Sequence, residues 1–338
     1  MLHMDVLVIN QDEVRRLLPM RDCIDLMAEA LRTLARDDAV QPLRTATWLP
    51  NRCGLIGLMP GYLGEPQVLG VKALTVFPGN HGTVYDSHQG AILLFDVEHG
   101  QLEAIIDATQ VTAIRTAAVS AVATKSLARE NAAKLAILGT GTQARTHLEA
   151  IQLVRDLEVV RVWSRNHDAA RRFAECESAH HNLKIEPMRT AREAVDTADI
   201  ICTVTAATEP ILCGDWISPG AHINAVGACV AKARELDTQA VVHARLFVDR
   251  RESTLNESGD FLIPKAEGVI DDDHILGELG EVLIDRASGR TSPQDITLFK
   301  SLGLAVEDLA AAHHIFNEAK RCGVGTMVKL GGKRNATA

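Results

Sequence analysis

A short apolar segment that leads into a glycine-rich turn and then a helix-like segment restricts the fold of this chain more than any other feature. Lys134–Gly139 is the apolar segment, and Thr142–Leu153 follows with apolar residues at helical spacing. The turn between them fits the pattern G-x-G-x-x-A, in which the first glycine permits a tight turn and the second lets the backbone approach a pyrophosphate. The small third position lets helix and strand pack closely, and the phosphates bind N–H groups at the positive end of the helix. This pattern predicts a dinucleotide site that includes Gly139, Thr140, Gly141, Thr142 and Gln143.

The surrounding sequence alternates between strand-like and helix-like segments. Such alternation predicts a parallel sheet with helices on both faces, here a doubly wound α/β domain of the Rossmann type over roughly residues 130–300. The predicted strands after the first are Glu158–Ser164, Asp199–Thr205, Ala221–Val226 and Leu246–Asp249, and the predicted helices are Asp168–Glu177 and Thr190–Ala198.

The first third of the chain has a different pattern, which favours a smaller α+β domain. Its predicted helices are Asp12–Leu18 and Pro19–Arg36, and its predicted strands are Thr45–Leu49, Gly54–Met59, Val68–Phe77 and Gly90–Asp96. Two Ala-rich helices are expected at its borders, Gln110–Leu127 as a bridge and Gly303–Arg321 as a segment that returns to pack on it. We therefore expect a substrate-binding and dimerisation domain of residues 1–116 and 304–338, and a dinucleotide-binding domain of residues 117–303.

The end of the second predicted strand indicates which dinucleotide binds. NAD-binding domains usually place an acidic residue there, about 20 residues after the glycine loop, to hold the ribose hydroxyls. This chain has Ser164, Arg165 and Asn166 instead, and a guanidinium group suits a 2′-phosphate. The residues favour NADPH, with NADH as the alternative if Arg165 is only a surface residue.

Charge and composition exclude several classes of function. The formal net charge is −9, which argues against nucleic-acid binding because such proteins usually carry a positive surplus. The apolar runs are far shorter than the ~18 residues of a membrane span, and the N-terminus lacks the pattern of a signal peptide. The seven cysteines never occur as a C-x-x-C pair, so neither a disulfide framework nor a metal site is predicted. We expect a cytoplasmic protein that binds no membrane and no metal.

Three basic residues in apolar or small-residue surroundings are candidates to hold an anionic substrate. Lys72 lies within a strand-like run, where an unpaired lysine would be costly, while Arg115 interrupts a helix of small residues and Arg44 begins a strand. Taken singly, each could be a surface base that extends its charge into water. His88 follows Asp86 and Ser87, but three neighbouring residues on one loop do not form a catalytic triad, so it is expected near cofactor or substrate.

The chain resembles the ornithine cyclodeaminase/mu-crystallin family over nearly its whole length, and within it most resembles the mu-crystallin branch, whose activity is NADPH-dependent ketimine reduction. The matching motifs are Leu58–Pro60, Gly70–Lys72, Ser87–Gln89, Leu93–Phe95, Val111–Ala121, the glycine loop, Thr208–Leu212, Gly220–Ala228, Glu257–Asp260, Gly277–Val282 and Phe299–Asp308.

This resemblance implies a homodimer in which the first domain and the returning helix form the substrate site and the dimer contact. It implies that Arg44 and Arg115 hold the substrate carboxylate and that Lys72 handles charge and protons beside it, so that these three are the catalytic residues. A second group would contact the cofactor. That group is Ser87, His88, Arg115, the glycine loop, Ser164, Arg165, Asn166, Thr205, Val226 and Ser301.

The chain departs from cyclodeaminases at two positions. They carry a glutamate before the Leu-Met-Pro motif and an aspartate in a later loop, where this chain has Gly57 and Cys229. Loss of ammonia and ring closure need carboxylates to accept and return protons. Cys229 is expected to line the substrate pocket without acting as a nucleophile.

These features predict reduction of ketimines or cyclic imino acids, such as Δ1-pyrroline-2-carboxylate and Δ1-piperideine-2-carboxylate, to L-proline or L-pipecolate. The alternatives are an alanine-dehydrogenase-like amino-acid dehydrogenase, a cyclodeaminase, and a non-catalytic protein that binds NADPH and a small ligand.

Overall fold

The computed structural model describes residues 5–80 and 82–331. The chain divides into two compact units: unit 1 comprises Met1–Arg115 and Leu304–Ala338, and unit 2 comprises Thr116–Gly303. Within the described residues, no helix is long and apolar enough to cross a membrane, and no group of three potential ligands among His, Cys, Asp and Glu could hold a metal ion.

The secondary-structure elements have the following bounds. The strands are β1 (Asp5–Ile9), β2 (Ala39–Val40), β3 (Thr45–Trp48), β4 (Leu55–Leu63), β5 (Val68–Val76), β6 (His88–Phe95), β7 (Leu102–Asp107), β8 (Lys134–Leu138), β9 (Val159–Trp163), β10 (Ile185–Pro187), β11 (Ile200–Thr203), β12 (His222–Ala225), β13 (Ala244–Val248), β14 (Ile275–Glu278), β15 (Ile296–Lys300) and β16 (Thr326–Lys329). The α-helices are α1 (Gln11–Leu17), α2 (Met20–Ala35), α3 (Ala108–Leu127), α4 (Thr142–Gln152), α5 (His167–His181), α6 (Ala191–Val195), α7 (Thr238–Val242), α8 (Arg251–Glu257), α9 (Gly259–Ala266), α10 (Leu279–Leu283) and α11 (Ala305–Cys322).

Unit 1 is built on a mixed sheet with the strand order β16-β1-β7-β6-β5-β4-β2, to which β3 is added by pairing with β4. All of its pairs are antiparallel except β1 with β7. The strands β1 and β7 were not predicted, because each is a short apolar segment that helical and strand patterns fit about equally well. Pro19 separates the first two helices, as expected, since α1 ends at Leu17 and α2 begins at Met20.

The helix α11 packs on α2 and on strands β4, β5 and β6. Two glycines that pair across β4 and β5, Gly61 and Gly70, lie beneath it. A Cβ atom on Gly70 would lie 2.6 Å from Leu309 Cδ2, and one on Gly61 would lie 3.1 Å from the Cβ of Ala305. The helix therefore approaches the sheet as closely as it does because these two positions carry no side chain.

Unit 2 contains an eight-stranded sheet with the order β10-β9-β8-β11-β12-β15-β13-β14, in which every pair is parallel. Alternate residues of β8 enter two separate hydrophobic clusters: Leu135 and Ile137 pack with α4 and α5, whereas Ala136 and Leu138 pack with α6 and α7. Helices thus cover both faces of the sheet, and the predicted doubly wound α/β fold is confirmed.

The sequence pattern missed β15, although it lies near the middle of this sheet between β12 and β13. Its last residue is Lys300, which is 1% exposed and forms an ion pair with Asp260. A lysine at the end of a five-residue segment conceals the apolar run that would otherwise indicate a buried strand.

Candidate active-site residues

Lys72 lies in the middle of β5 on the face that α11 covers. Val68, Gly70 and Lys72 alternate with more exposed residues, so all three point toward the helix. The Lys72 side chain is almost completely buried, and its neighbours across the two adjacent strands are the apolar residues Met59 and Ile92. Burial of a lysine at such a position requires a carboxylate partner.

Two carboxylates in the first turn of α11 supply that partner. Lys72 Nζ lies 3.0 Å from Asp308 Oδ1 and 3.1 Å from Oδ2. Arg115, on α3, donates from Nε to the same Oδ1 at 2.9 Å and from Nη1 to Glu307 Oε2 at 2.8 Å. Both carboxylates are fully buried. Two cations and two anions therefore form one network, which we call the buried charge cluster (Lys72, Arg115, Glu307 and Asp308).

The environment of Lys72 favours loss of its proton more than is usual for a lysine. Burial lowers the pKa of Lys72 to about 8, because it outweighs the attraction of Asp308, and the positive charges of Arg115 and Arg44 lower it further. Arg44 lies directly before β3 and is half-buried. Lys72 thus interacts electrostatically with both of the other predicted substrate-binding cations of unit 1.

Ser87 and His88 lie at the start of β6. Ser87 Oγ is 3.0 Å from His88 Nδ1, and the carbonyl of His88 accepts a hydrogen bond from Thr109 Oγ1 at 3.2 Å. Although the imidazole is solvent-exposed, crowding by protein atoms and the positive charge of Lys72 lower the pKa of His88, so it is neutral at pH 7. His88 therefore belongs to the electrostatic surroundings of Lys72.

In unit 2, the glycine loop lies at the carboxyl end of β8. Gly139 has φ = 134° and donates its N–H to the carbonyl of Trp163 at 2.8 Å. A Cβ at this position would lie 2.7 Å from the carbonyl oxygen of Val204, which directly follows β11. The chain leaves β8 toward β9 on one side and returns as β11 on the other, so the loop occupies the point where the strand order reverses. Ligands of open α/β sheets bind at such a point.

The start of α4 has the features of an anion site. Gly141 is the N-cap residue and offers no side-chain cap, no acidic residue lies in the first turn, and a Cβ on Gly141 would meet no atom within 4 Å. The first N–H groups of the helix are therefore approachable by a phosphate. Thr142 is exposed, whereas Thr140 and Gln143 are half-buried.

The three predicted residues after β9 differ in what their side chains do. Ser164 is half-buried and Arg165 is exposed. Among the described residues, Arg165 forms no ion pair. Asn166 is the N-cap of α5, where its Oδ1 accepts hydrogen bonds from the N–H groups of Asp168 at 3.0 Å and Ala169 at 3.3 Å. Arg165 is thus available to a ligand, while Asn166 stabilises the helix.

The other predicted residues of unit 2 meet at the carboxyl ends of β11, β12 and β15. The Cys229 thiol donates to the carbonyl oxygen of Val226 at 3.3 Å and lies 4.0 Å from that of Ser301. Thr205 follows β11 on the same edge of the sheet. The structure therefore brings Thr205, Val226, Cys229 and Ser301 to one edge, next to the glycine loop.

A buried carboxylate that the sequence analysis did not identify organises this edge. Glu235 Oε1 accepts hydrogen bonds from Thr205 N at 2.7 Å and Thr205 Oγ1 at 2.6 Å, and its Oε2 accepts one from Gly227 N at 2.8 Å. Burial raises the pKa of Glu235 even though the side chain of Thr205 and the charge of Lys300 oppose the shift. Asp260 supports the same segment by accepting hydrogen bonds from the N–H groups of Glu235 and Leu236.

No local feature of the sequence indicated that Glu307 and Asp308 belong to the buried charge cluster. Acidic residues in the first turn of a helix are common because the helix dipole favours them. The one available signal was the apolar strand around Lys72, which required a counter-ion without indicating where in the chain it lies.

A glycine loop at the reversal point of a doubly wound parallel sheet defines the class of dinucleotide-binding α/β proteins. Comparison with known proteins narrows this class. The model of the ornithine cyclodeaminase/mu-crystallin family matches residues 4–323. The chain belongs to this family, as its motifs predicted.

Three relatives are similar over most of their length. Mouse ketimine reductase mu-crystallin is 42% identical over 278 residues, which cover 82% of this chain and 85% of the relative. The structure of Thermococcus litoralis Δ1-pyrroline-2-carboxylate reductase in complex with NADH and L-proline has a TM-score of 0.93 and 40% identity, and covers 96% of this chain and 100% of that one. An archaeal alanine dehydrogenase dimer with bound NAD has a TM-score of 0.92 and 30% identity, with 97% and 100% covered.

Proposed function

We propose that this protein reduces ketimines or cyclic imino acids with NAD(P)H to L-amino acids such as L-proline or L-pipecolate. The observation that carries the proposal is the pair of buried cations, Lys72 and Arg115, on a scaffold that strongly resembles a reductase holding NADH and L-proline. A substrate with a carboxylate next to a C=N bond matches a site in which the cationic N–H donors of Lys72 and Arg115 lie close together.

The residues of unit 1 act on the substrate. Arg115 and Arg44 bind and orient the carboxylate, since guanidinium groups pair with carboxylates in a fixed geometry. Lys72 contributes charge and controls the proton at the imine nitrogen, which must be protonated for the carbon to accept a hydride. His88 is neutral beside them and does not compete for the carboxylate.

The residues of unit 2 fit a nicotinamide dinucleotide, which when bound supplies the hydride. The backbone of Gly139–Gln143 and the start of α4 bind the pyrophosphate, and Thr205, Val226 and Ser301 line the nicotinamide end. The preference for NADPH rests on Arg165, an exposed guanidinium where NAD-binding domains carry a carboxylate. NADH is the alternative cofactor, since the structure of the Thermococcus relative is a complex with NADH.

We propose further that the protein is a homodimer. The face of the unit 1 sheet opposite α11 exposes large apolar side chains of adjacent strands, among them Ile56, Leu58 and Leu69. An apolar patch of this kind on a sheet face is typical of a protein contact, and one similar structure is that of a dimer. Light scattering after size-exclusion chromatography should give twice the mass of one chain. Leu58→Lys should lower the measured mass toward that of a single chain.

A second candidate is an amino-acid dehydrogenase, because the archaeal alanine dehydrogenase is similar along the whole chain. The same cations would hold the carboxylate of an α-keto acid, with ammonia as the nitrogen source. Cyclodeamination is less well supported, since Gly57 and Cys229 replace the two carboxylates of cyclodeaminases.

The test is oxidation of NADPH and NADH, followed by absorbance, with five- and six-membered cyclic imino acids and with pyruvate plus ammonia. We expect rapid oxidation with a cyclic imino acid and a preference for NADPH that Arg165→Gln reduces. Lys72→Met should abolish turnover while NADPH still binds, whereas the matched control Lys184→Met, at a lysine whose side chain is 82% exposed, should behave as wild type. NADPH binding without oxidation of any imine would refute the proposal and favour a ligand-binding protein.

A further inference from the structure

We propose that Asp308 is a positioning residue for the reaction: it holds the ammonium group of Lys72 and the guanidinium group of Arg115 in one arrangement that an anionic substrate can bridge. This inference rests on the proposed function, because it assigns the arrangement to imine substrates with a carboxylate. Asp308 acts through the two cations and need not touch the substrate.

The geometry carries the proposal. A single oxygen, Asp308 Oδ1, accepts from both cations, at 3.0 Å from Lys72 Nζ and at 2.9 Å from Arg115 Nε. The two cations lie on different elements, β5 and α3, and the shared oxygen lies on a third, α11. The spacing between the positive charges is therefore fixed by one atom in the first turn of a helix whose approach to the sheet is set by Gly61 and Gly70.

The hydrogen-bonding pattern leaves Lys72 able to act on a ligand. Its ammonium group has three N–H bonds, and the two oxygens of Asp308, at 3.0 and 3.1 Å, accept at most two of them. At least one N–H bond of Lys72 is therefore left for a substrate. The side chain thus needs no rearrangement when a substrate arrives, which is what a preorganised site requires.

Several charged or titratable groups influence the Lys72 ammonium. Asp308 on α11 stabilises its charge, whereas Arg115 on α3 and Arg44 before β3 oppose it. His88 on β6 is neutral, and the positive charge of Lys72 contributes to lowering the pKa of His88. Without Asp308, Lys72 would lie in an apolar environment with two cations and no bonded carboxylate, so it would lose its proton at a lower pH.

Glu307 is the natural comparison because it is the neighbouring residue, equally buried and equally charged. It accepts from Arg115 Nη1 and from the N–H of Leu304, which is the N-cap of α11. No hydrogen bond joins it to Lys72 among the described residues. Loss of its charge should therefore affect Arg115 and the helix start and leave the ionisation of Lys72 nearly unchanged.

The experiment compares Asp308→Asn with Glu307→Gln in the pH dependence of kcat/KM for the imine substrate. Wild type should lose activity above about pH 8, where Lys72 loses its proton. For Asp308→Asn we expect the alkaline limb to move down by about one pH unit or more and kcat/KM at pH 8 to fall about fivefold or more, as expected when an opposite charge in contact is removed. For Glu307→Gln we expect a higher KM and an alkaline limb at the wild-type position.

Two results would overturn the proposal: an alkaline limb that stays in place in Asp308→Asn, or an equal shift in both variants, which would reflect a general field effect. If Asp308→Asn does not fold, Asp308→Glu carries the test, because it keeps the charge but displaces the oxygens by one methylene. It should keep the limb and lower kcat/KM about tenfold, and an unchanged kcat/KM would contradict the positioning role.

A direct titration separates this inference from the proposed function. Lys72 can be followed by NMR in the full-length protein labelled at lysine Cε, with its signal assigned by its loss in Lys72→Arg. A downward shift of its titration in Asp308→Asn, in a protein that reduces no imine, would support the electrostatic role of Asp308 and refute the function. An unchanged titration in a protein that does reduce imines would refute only the inference.

Discussion

Substitution of Gly70 by alanine tests whether the absence of a side chain on β5 determines the position of α11. A Cβ at Gly70 would lie 2.5 Å from the carbonyl oxygen of Leu93 and 2.6 Å from Leu309 Cδ2. The first contact is with backbone and cannot be relieved by a rotamer change, so β6 or β5 must shift. Overpacking of this kind lowers the free energy of unfolding by about 1–3 kcal/mol. Alanine also reduces the conformational entropy of the unfolded chain, which raises the free energy of unfolding by about 0.4–1 kcal/mol and offsets only part of that loss.

Gly57 provides a matched control on the adjacent strand. It is also buried, but a Cβ there would have its nearest contact at 3.7 Å, an ordinary van der Waals distance. Gly57→Ala should therefore leave stability unchanged or raise it by up to about 1 kcal/mol. The two variants make the same chemical change, but only Gly70→Ala should lower the free energy of unfolding.

The assay is urea unfolding followed by circular dichroism, together with imine reduction. Gly70→Ala should lower the midpoint, and it should also lower kcat/KM because a displaced α11 carries Asp308 away from Lys72. Gly57→Ala should do neither. A Gly70→Ala protein with the midpoint and activity of wild type would refute the view that contact at this glycine seats the helix.

Three further predictions concern unit 2. Gly141→Ala should leave the unfolding midpoint unchanged and weaken NADPH binding at least about tenfold, because a methyl group there meets no protein atom but obstructs the pyrophosphate. Gly139→Ala should lower the unfolding midpoint as well, since Gly139 has a positive φ and a close backbone neighbour. Burial, reinforced by nearby positive charges, lowers the pKa of His222 from 6.5 to about 3, so between these values the unfolded chain binds a proton that the folded protein does not. Stability should fall as the pH drops below 6.5, by up to about 1.4 kcal/mol per unit, and His222→Gln should flatten this slope in thermal unfolding. Glu235→Gln should lower stability by about 1–3 kcal/mol in urea unfolding, because an amide replaces one acceptor of its hydrogen bonds to Thr205 and the adjacent loop, and an unchanged midpoint would contradict this.

The sequence predicted those parts of the molecule whose physical cause is local. The glycine loop, its flanking strand and helix, and the restart at Pro19 depend on residues within a few positions of one another. The buried charge cluster does not, since Lys72 and Asp308 are separated by 236 positions. Energetics required a partner for Lys72, but only the topology of β5 and α11 could identify it.

Strand β15 and Glu235 illustrate the same limit in unit 2. The apolar pattern of β15 is interrupted by Lys300, whose burial requires the adjacent carboxylate of Asp260. Glu235 lies in a loop, where a carboxylate is ordinarily solvated, and its importance depends on the N–H groups of Thr205, in another loop, and of Gly227, earlier in its own loop. Family resemblance located the surrounding motifs but assigned no contact to either residue.

The position of β15 has a consequence for how the chain is made. It is inserted between β12 and β13, and α11, which covers the sheet of unit 1, follows it directly in the chain. Neither sheet can therefore be completed before residues 296–322 are synthesised. Until then the sheet of unit 2 lacks an inner strand and the sheet of unit 1 lacks its covering helix. Incomplete sheets expose unpaired strand edges and apolar faces, which makes nascent chains prone to aggregate. A ribosome that stops after residue 290 would release a chain in which neither unit can be completed, so premature termination should yield insoluble product and no folded fragment.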